Sequence, residues 1–248
     1  MQQTGRASNG VIKAASAEEP RLRHDDAYLR IRRDIISCQL SPGQRFTEAE
    51  LMDRYEIGKA TCRNALLRLL QDGFVVSQPR RGYFVKPISV KDVDEVFDLR
   101  LELEPMAARL AVGRVDLDQL VRWEKACRED CVEMDIADQI KVFLDANKEF
   151  HMTIAAASDN RRLHSFMRSL LDEMSRLAAL GFGFGGLKPG IKSDHESMLD
   201  AFRNGDGEEA ARIARRHVDA FRGMTMDKIL VALRDVSAEL PITRQGRT

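Results

Sequence analysis

The sequence predicts a mainly α-helical protein with one small β element near its N-terminus, and three observations carry that expectation. Apolar residues recur at intervals of three and four through most of residues 88–233. Short polar breaks such as Ser158-Asp159-Asn160 and Asn204-Gly205-Asp206-Gly207 separate these runs, as helix ends require. β-Rich runs are confined to Phe74-Val75-Val76 and Tyr83-Phe84-Val85, on either side of Gln78-Pro79-Arg80-Arg81-Gly82. With 248 residues and 44% hydrophobic content the chain can bury one small and one larger core. The expected division is a disordered tail at 1–22, a small domain at 23–87, a helical domain at 88–233 and a C-terminal tail at 234–248.

In the small domain, Tyr28, Leu29, Ile31, Ile35 and Ile36 keep helical spacing from Asp25 or Asp26 to Cys38, and Leu40-Ser41-Pro42-Gly43 ends that helix. Thr47 followed by Glu50 is a capping box that opens a short helix to about Tyr55. Ile57-Gly58 makes a tight turn, and Lys59–Leu70 resumes helical spacing with Ala65, Leu66, Leu69 and Leu70 inward. Gly73 stops this helix, and the two β-rich runs form a hairpin. The arrangement is a winged helix-turn-helix.

Such a unit reads DNA through the N-terminal end of its second helix, where Lys59, Thr61, Arg63 and Asn64 are polar. Arg63 is the candidate for a bidentate contact to guanine and Lys59 for a phosphate contact. Arg80, Arg81 and Gly82 stand at the tip of the hairpin, where a wing meets the duplex.

Net charge is zero, which by itself argues against nucleic-acid binding, but the charges are divided. Residues 1–88 hold 15 Lys+Arg against 10 Asp+Glu, and the rest of the chain therefore holds 24 of the 39 basic and 29 of the 39 acidic residues. A basic head on an acidic body suits a DNA reader joined to a domain of different purpose. No apolar run is long enough to span a membrane and no secretory signal opens the chain, so the expected location is the cytoplasm. Cys38, Cys62, Cys127 and Cys131 form no C-x-x-C pair and are expected to be small core residues.

Beyond a hinge at 85–89, Ser89 caps a helix that runs through Val93, Val96, Phe97, Leu101, Leu103, Met106, Ala107 and Leu110. Further helices are expected at about 117–134, 137–157, 161–180, 191–203 and 207–233, making an all-α bundle of six to seven helices. Gly181-Phe182-Gly183-Phe184-Gly185-Gly186 lacks the Gly-Lys-Ser/Thr ending of a phosphate loop and reads as a flexible connection, with a flap over a pocket as the alternative.

Within the bundle, Phe143, Asn147, His151 and Ile154 share one helix face. His195 shares a face with Met198, Leu199 and Phe202, and His217 with Ile213, Ala220, Phe221 and Met224. His195 lies nine residues before the turn at 204–207 and His217 ten after it. At about 1.5 Å per residue both stand roughly 14 Å from the turn, so they can reach one point. Neutral imidazoles with an amide or carboxyl oxygen are common ligands of a divalent metal, but a histidine on an apolar face is also a common core residue. The residue pattern leaves both readings open. Arg100 has Glu104 one turn on, which reads as a partly exposed ion pair.

Two sets of residues carry a family resemblance. Ile57-Gly58-Lys59-Ala60-Thr61-Cys62-Arg63-Asn64-Ala65-Leu66 with Asp72-Gly73-Phe74 and Arg81-Gly82 resembles the reading helix and wing of the GntR family of bacterial transcription regulators, with Gly58, Lys59 and Cys62 as departures. Glu102-x-Glu104-Pro105-Met106-Ala107-Ala108-Arg109-Leu110-Ala111, Phe150-His151, Asp194-His195-Glu196, Asn204-Gly205-Asp206 and His217 resemble the FCD effector domain of the FadR subfamily. Together they cover about residues 25–225.

The resemblance implies a DNA-binding transcriptional regulator, in the main a repressor, acting as a homodimer on an operator and controlled by a small organic-acid effector. It implies a divalent metal held by Asn147, His151, His195 and His217, zinc first and nickel or manganese as alternatives, with Asn147 standing where the family has aspartate. It also implies that Arg100 faces the effector. A metal sensor, in which the ion is the signal, and a metal-dependent enzyme are the competing readings. No general base beside the histidines and no purpose for a reading helix speak against the enzyme.

Overall fold

The computed structural model describes residues 18–128, 136–183 and 192–239. The chain divides into two compact units, Met1–Arg32 with Arg45–Tyr83 and Arg33–Gln44 with Phe84–Thr248. None of the described helices is long and apolar enough to cross a membrane.

The N-terminal elements are α1 (Glu18–Ile36), β1 (Arg45–Phe46), α2 (Glu48–Tyr55), α3 (Lys59–Gln71), β2 (Val75–Gln78) and β3 (Gly82–Val85), with the strands in the order β1-β3-β2. α1 starts seven residues before the expected Asp25, inside the stretch expected to be disordered. Glu18-Glu19-Pro20 are residue types that open helices, since acids favour the N-terminal turn and proline is tolerated there. The earlier residues of the expected tail lie outside the described ones.

The capping box at Thr47 and Glu50 is present. The turn between α2 and α3 departs from expectation: Glu56, with φ of 53°, takes the left-handed conformation, and Gly58 serves as the N-cap of α3. Cys62, Ala65, Leu66 and Leu69 form the buried stripe of α3, so Cys62 joins the core and Leu70 is only half-buried. Tyr28 on α1 donates to Asp72 at 2.5 Å and lies under Arg68. Burial and that hydrogen bond push the Tyr28 hydroxyl up to about 12.

At the wing, Arg81 N–H donates to Gln78 C=O at 3.0 Å, closing a tight turn in which Arg80 has φ of 63°. Gly82 is required twice over, by its φ of 89° and by the Phe46 carbonyl oxygen, 3.2 Å from where a Cβ would stand. β1 was not expected; two residues are too short a run to show alternation.

The second unit contains α4 (Val90–Ala111), α5 (Leu117–Arg128), α6 (Ile136–Ala157), α7 (Arg161–Gly183), α8 (Lys192–Arg203) and α9 (Gly207–Glu239), six helices among the described residues. α9 runs six residues past its expected end. The last turns expected for α5, and with them Cys131, lie outside the described residues.

α4 starts at a Ser89–Asp92 capping box. Its contacts with α9 are antiparallel: Arg222 meets Asp94 and Asp98, Arg215 meets Glu102 and Arg109 meets Glu208. These pairs are largely exposed and set register more than stability. Phe97 and Phe221, both buried, face each other between them with ring centroids 6.1 Å apart. Burying such a ring contributes about 1.5–3 kcal/mol.

Gly181 is not part of a loop. α7 continues through it, and a Cβ there would stand 2.8 Å from Lys228 Cβ, so the glycine lets α7 approach α9. The remainder of the Gly/Phe stretch beyond residue 183 lies outside the described residues.

Candidate DNA-reading surface and histidine centre

At the N-terminal end of α3, Gly58 offers no side-chain cap, which leaves the first amide groups of the helix for an external acceptor. Lys59, Arg63 and Asn64 are exposed there and Thr61 is half-buried. Arg63 does not extend freely: its Nε donates to the two carboxylate oxygens of Glu48 at 3.2 and 3.1 Å. Arg80 and Arg81 are exposed at the wing tip.

In the helical unit the three inward histidines converge. His151 on α6, His195 on α8 and His217 on α9 are all buried, and one ligand nitrogen from each lies within 4.8 Å of the others. His151 Nε2 and His217 Nε2 stand 3.2 Å apart. Two nitrogens about 2.1 Å from a common ion would be separated by about 3.0–3.4 Å, so this spacing fits two ligands of one metal. His195 stacks on Phe150 with centroids 4.0 Å apart, which fixes its ring.

The face assigned to His217 needs one correction. Ala220 is exposed; Ile213 and Phe221 are buried as expected and Met224 is half-buried, and Ala214, Val218 and Thr225 are buried beside them.

Arg100 and Glu104 are buried, not partly exposed. Arg100 Nε donates to Glu104 Oε1 at 2.5 Å, and Glu104 Oε2 lies 2.9 Å from His151 Nδ1. Burial alone would raise the Glu104 carboxyl; Arg100 and His151 outweigh it and hold the group well below the usual carboxylate range. A carboxylate beside Nδ1 turns Nε2 of His151 toward the other two imidazoles, the orientation a metal ligand needs. Burial first, and the neighbouring histidines second, hold His217 well below its ordinary value; burial, His151 and Arg128 do the same for His195. Both imidazoles are therefore neutral.

Several buried polar atoms here lack hydrogen-bond partners among the described residues. They are both amide atoms of Asn147, Nε2 of His195, Nδ1 of His217, both terminal amino groups of Arg100, Oγ1 of Thr225 and Oε2 of Glu104, which stands close to His151 Nδ1 without hydrogen-bond geometry. An unsatisfied buried group costs about 1–3 kcal/mol, so the arrangement could take a ligand that completes these atoms. A pocket of about 10 Å³ adjoins His151, bounded by Glu104, Ala107, Met167, Met198 and Ala214 among others. It has space for about one water, and none for an organic acid in this conformation.

Sequence reasoning had no role for Glu104 beyond its pairing with Arg100, nor any for Asp194, whose Oδ2 lies 3.8 Å from His217 Nδ1 while Arg216 holds Oδ1 at 2.6 Å. Both orient or face imidazoles from other helices, which only the tertiary fold can show.

Comparison with known proteins settles the family. The FCD domain matches residues 95–220, half of the chain, and the bacterial regulatory protein family gntR matches 23–85. The chain belongs to the GntR family, with an FCD domain. It is 23% identical over 190 residues to the HTH-type transcriptional regulator YdhC of Bacillus subtilis, covering 77% of this chain and 85% of that protein. It is 22% identical over 191 residues to the HTH-type transcriptional repressor RspR of Escherichia coli, covering 77% and 83%. Two solved structures share the fold: E. coli McbR/YncC, with a TM-score of 0.68 at 19% identity over 86% of this chain and 98% of that one, and a GntR regulator from Rhodococcus sp. RHA1, with 0.69 at 20% over 83% and 98%. This GntR protein is thus a DNA-binding transcriptional regulator with an effector-binding domain, and not an enzyme.

Proposed function

We propose that this regulator is a repressor of the FadR type that binds its operator as a homodimer in the cytoplasm, and that a small organic acid bound beside a divalent ion in the FCD bundle controls it. The observation that carries this reading is the convergence of three buried imidazoles from three helices, with the Nε2 atoms of His151 and His217 3.2 Å apart, beside an arginine whose terminal amino groups have no hydrogen-bond partner among the described residues. His151, His195 and His217 would hold the ion, with Asn147, one turn from His151 on the same helix, as the fourth ligand. Zinc suits this donor set best, and nickel or manganese are the alternatives. When bound, the metal supplies a Lewis-acidic docking point.

The class of effector follows from charge. An amide and three imidazoles bring no negative charge to a doubly charged ion, and Glu104 is already placed between Arg100 and His151. An anion would complete both the ion and Arg100, whose planar fork matches a carboxylate. The pocket is too small for that anion as it stands, so binding requires the bundle to open, and such a change is what an effector needs in order to alter DNA binding.

In the DNA-binding unit, residues 23–87, Lys59 and the amides of α3 would take phosphates, Thr61, Arg63 and Asn64 would reach bases, and Arg80, Arg81 and Gly82 would form the wing contact. Dimer formation is supported by Leu99, Leu103, Met106 and Leu110 on α4 (of the unit at 88–233). They repeat at heptad spacing, and Leu99, Met106 and Leu110 are 54%, 41% and 38% exposed. The repressor assignment is supported by the relative RspR, which is named a repressor.

A metal-sensor reading is favoured by one observation, the pocket beside His151 that has space for little more than an ion or a water. Titrating a selected operator duplex with zinc alone and then with zinc plus small mono-, di- and tricarboxylates separates the two. The effector reading expects DNA release only when a carboxylate is added; release by zinc alone makes the ion the signal.

A further inference from the structure

Glu48 has no part in the reading so far described. It stands in the first turn of α2, where the Thr47–Glu50 capping box fixes the start of the helix. Its backbone carbonyl accepts from Cys62 Sγ on α3 at 3.7 Å, and its two carboxylate oxygens accept from Arg63 Nε at 3.2 and 3.1 Å. Arg63 is 57% and Glu48 26% exposed, so the pair lies on the surface that the N-terminal end of α3 presents. The terminal amino groups of Arg63 take no part in these contacts.

We propose that Glu48 is a positioning residue for base reading: it clamps Arg63 by Nε and presents the two terminal amino groups end-on to the O6/N7 acceptor pair of a guanine. The proposal rests on Arg63 reading a base. Its physical logic has two parts. A long flexible side chain loses rotamer freedom on docking, and a partner that holds it in place beforehand reduces that loss. An exposed ion pair contributes little to folding, so an acid kept at the face that meets phosphates must act elsewhere than in stability. It also repels every duplex alike, because phosphate attraction does not depend on sequence. Removing it should therefore weaken binding to selected DNA without weakening binding to random DNA, a pattern that a structural role would not give.

The test uses the full chain and a randomised double-stranded pool. Selection yields a preferred duplex, and affinity for it and for a random duplex is measured for wild type, Glu48→Ala, Arg63→Ala and the double variant. Glu48→Ala should weaken the preferred duplex about 3–10-fold while leaving the random one unchanged or tighter. It should flatten preference at the same base pair as Arg63→Ala, and should add no further loss once Arg63 is alanine. Glu48→Gln keeps the shape and gives a smaller loss of the same kind, and it carries the test if Glu48→Ala melts early. Equal losses from Glu48→Ala in both backgrounds, or a changed preference at a different base pair, as direct reading of a cytosine amino group by Glu48 would give, overturn the proposal while base reading by Arg63 stands. If Arg63→Ala weakens both duplexes equally, Arg63 reads no base and the role of Glu48 falls with it.

Discussion

The two ends of this regulator spend their polar residues in opposite ways. Around α3, Lys59, Arg63, Asn64, Arg80 and Arg81 are exposed and rooted in about forty consecutive residues. In the bundle, Arg100, Glu104, Asn147, His151, His195 and His217 are buried and come from four helices, and five of the six leave polar side-chain nitrogens or oxygens with no hydrogen-bond partner among the described residues. The DNA surface tolerates its charges because water solvates them until phosphates replace it. The histidine centre is shut off from water, and its groups without hydrogen-bond partners among the described residues are the ones the proposed ligands would complete. On the proposed function, the first arrangement would give affinity that salt can tune, and the second would tie ligand binding to folding.

The largest expected effect breaks the contrast at the bundle. An ion joining α6, α8 and α9 couples its binding energy to folding, and at a metal concentration of 100 times Kd the stabilisation is about 2.7 kcal/mol. Chelation should lower the melting temperature, and His217→Ala should do so without altering the winged unit. Differential scanning calorimetry with and without zinc checks this, and zinc-independent melting of both proteins would contradict it.

At the other region the effect is nearly as large but confined to binding. Arg63→Ala should weaken the preferred duplex by about 1–3 kcal/mol and leave melting and metal content unchanged, as fluorescence anisotropy and calorimetry together would show. Lys59→Ala should weaken preferred and random duplexes evenly and flatten the salt dependence.

Arg100→Lys sharpens the comparison from within. It keeps a charge beside Glu104 but loses the planar fork, so the DNA response to a carboxylate should shift to about tenfold higher concentration, while zinc binding is retained. An unshifted response curve would remove Arg100 from the effector site.

The smallest effect is pH-dependent and concerns the metal-free protein. His195 and His217 lie well below 6.5 when folded, so below about pH 6.5 the unfolded chain takes up protons that the folded one refuses. That stability is complete above this pH and is lost as pH falls, and the lowered carboxyl of Glu104 adds a loss of the same sign at lower pH. Melting of chelated protein should therefore fall from about pH 7.5 to about pH 5.5, with the exposed pairs of α4 and α9 contributing little.

Most of the winged fold was legible because its signals are local: the Thr47–Glu50 box, the stripe on α3, Gly73 and the hairpin. What escaped was Glu56 in the left-handed conformation, β1, and the contact between Glu48 and Arg63, fifteen residues apart. In the bundle, helical spacing placed Asn147 with His151, and counting from the turn at 204–207 brought His195 level with His217. Spacing could not show that Glu104 reaches His151 from α4, because nothing in a single helix records which neighbour it meets. Nor could it distinguish an exposed Arg100–Glu104 pair from a buried one, since i,i+4 spacing is the same in both. Ala220 was misplaced for a related reason: an apolar residue flanking the inward face of α9 need not be covered.

The central claim is that the three histidines hold a divalent ion, and the metal-to-protein ratio of purified, dialysed protein tests it most directly. Plasma mass spectrometry on wild type and His195→Ala should find up to one zinc, nickel or manganese ion per wild-type chain and none in the variant. Wild-type protein that holds no ion and takes up none of the three on addition would make the histidines core residues and contradict the account.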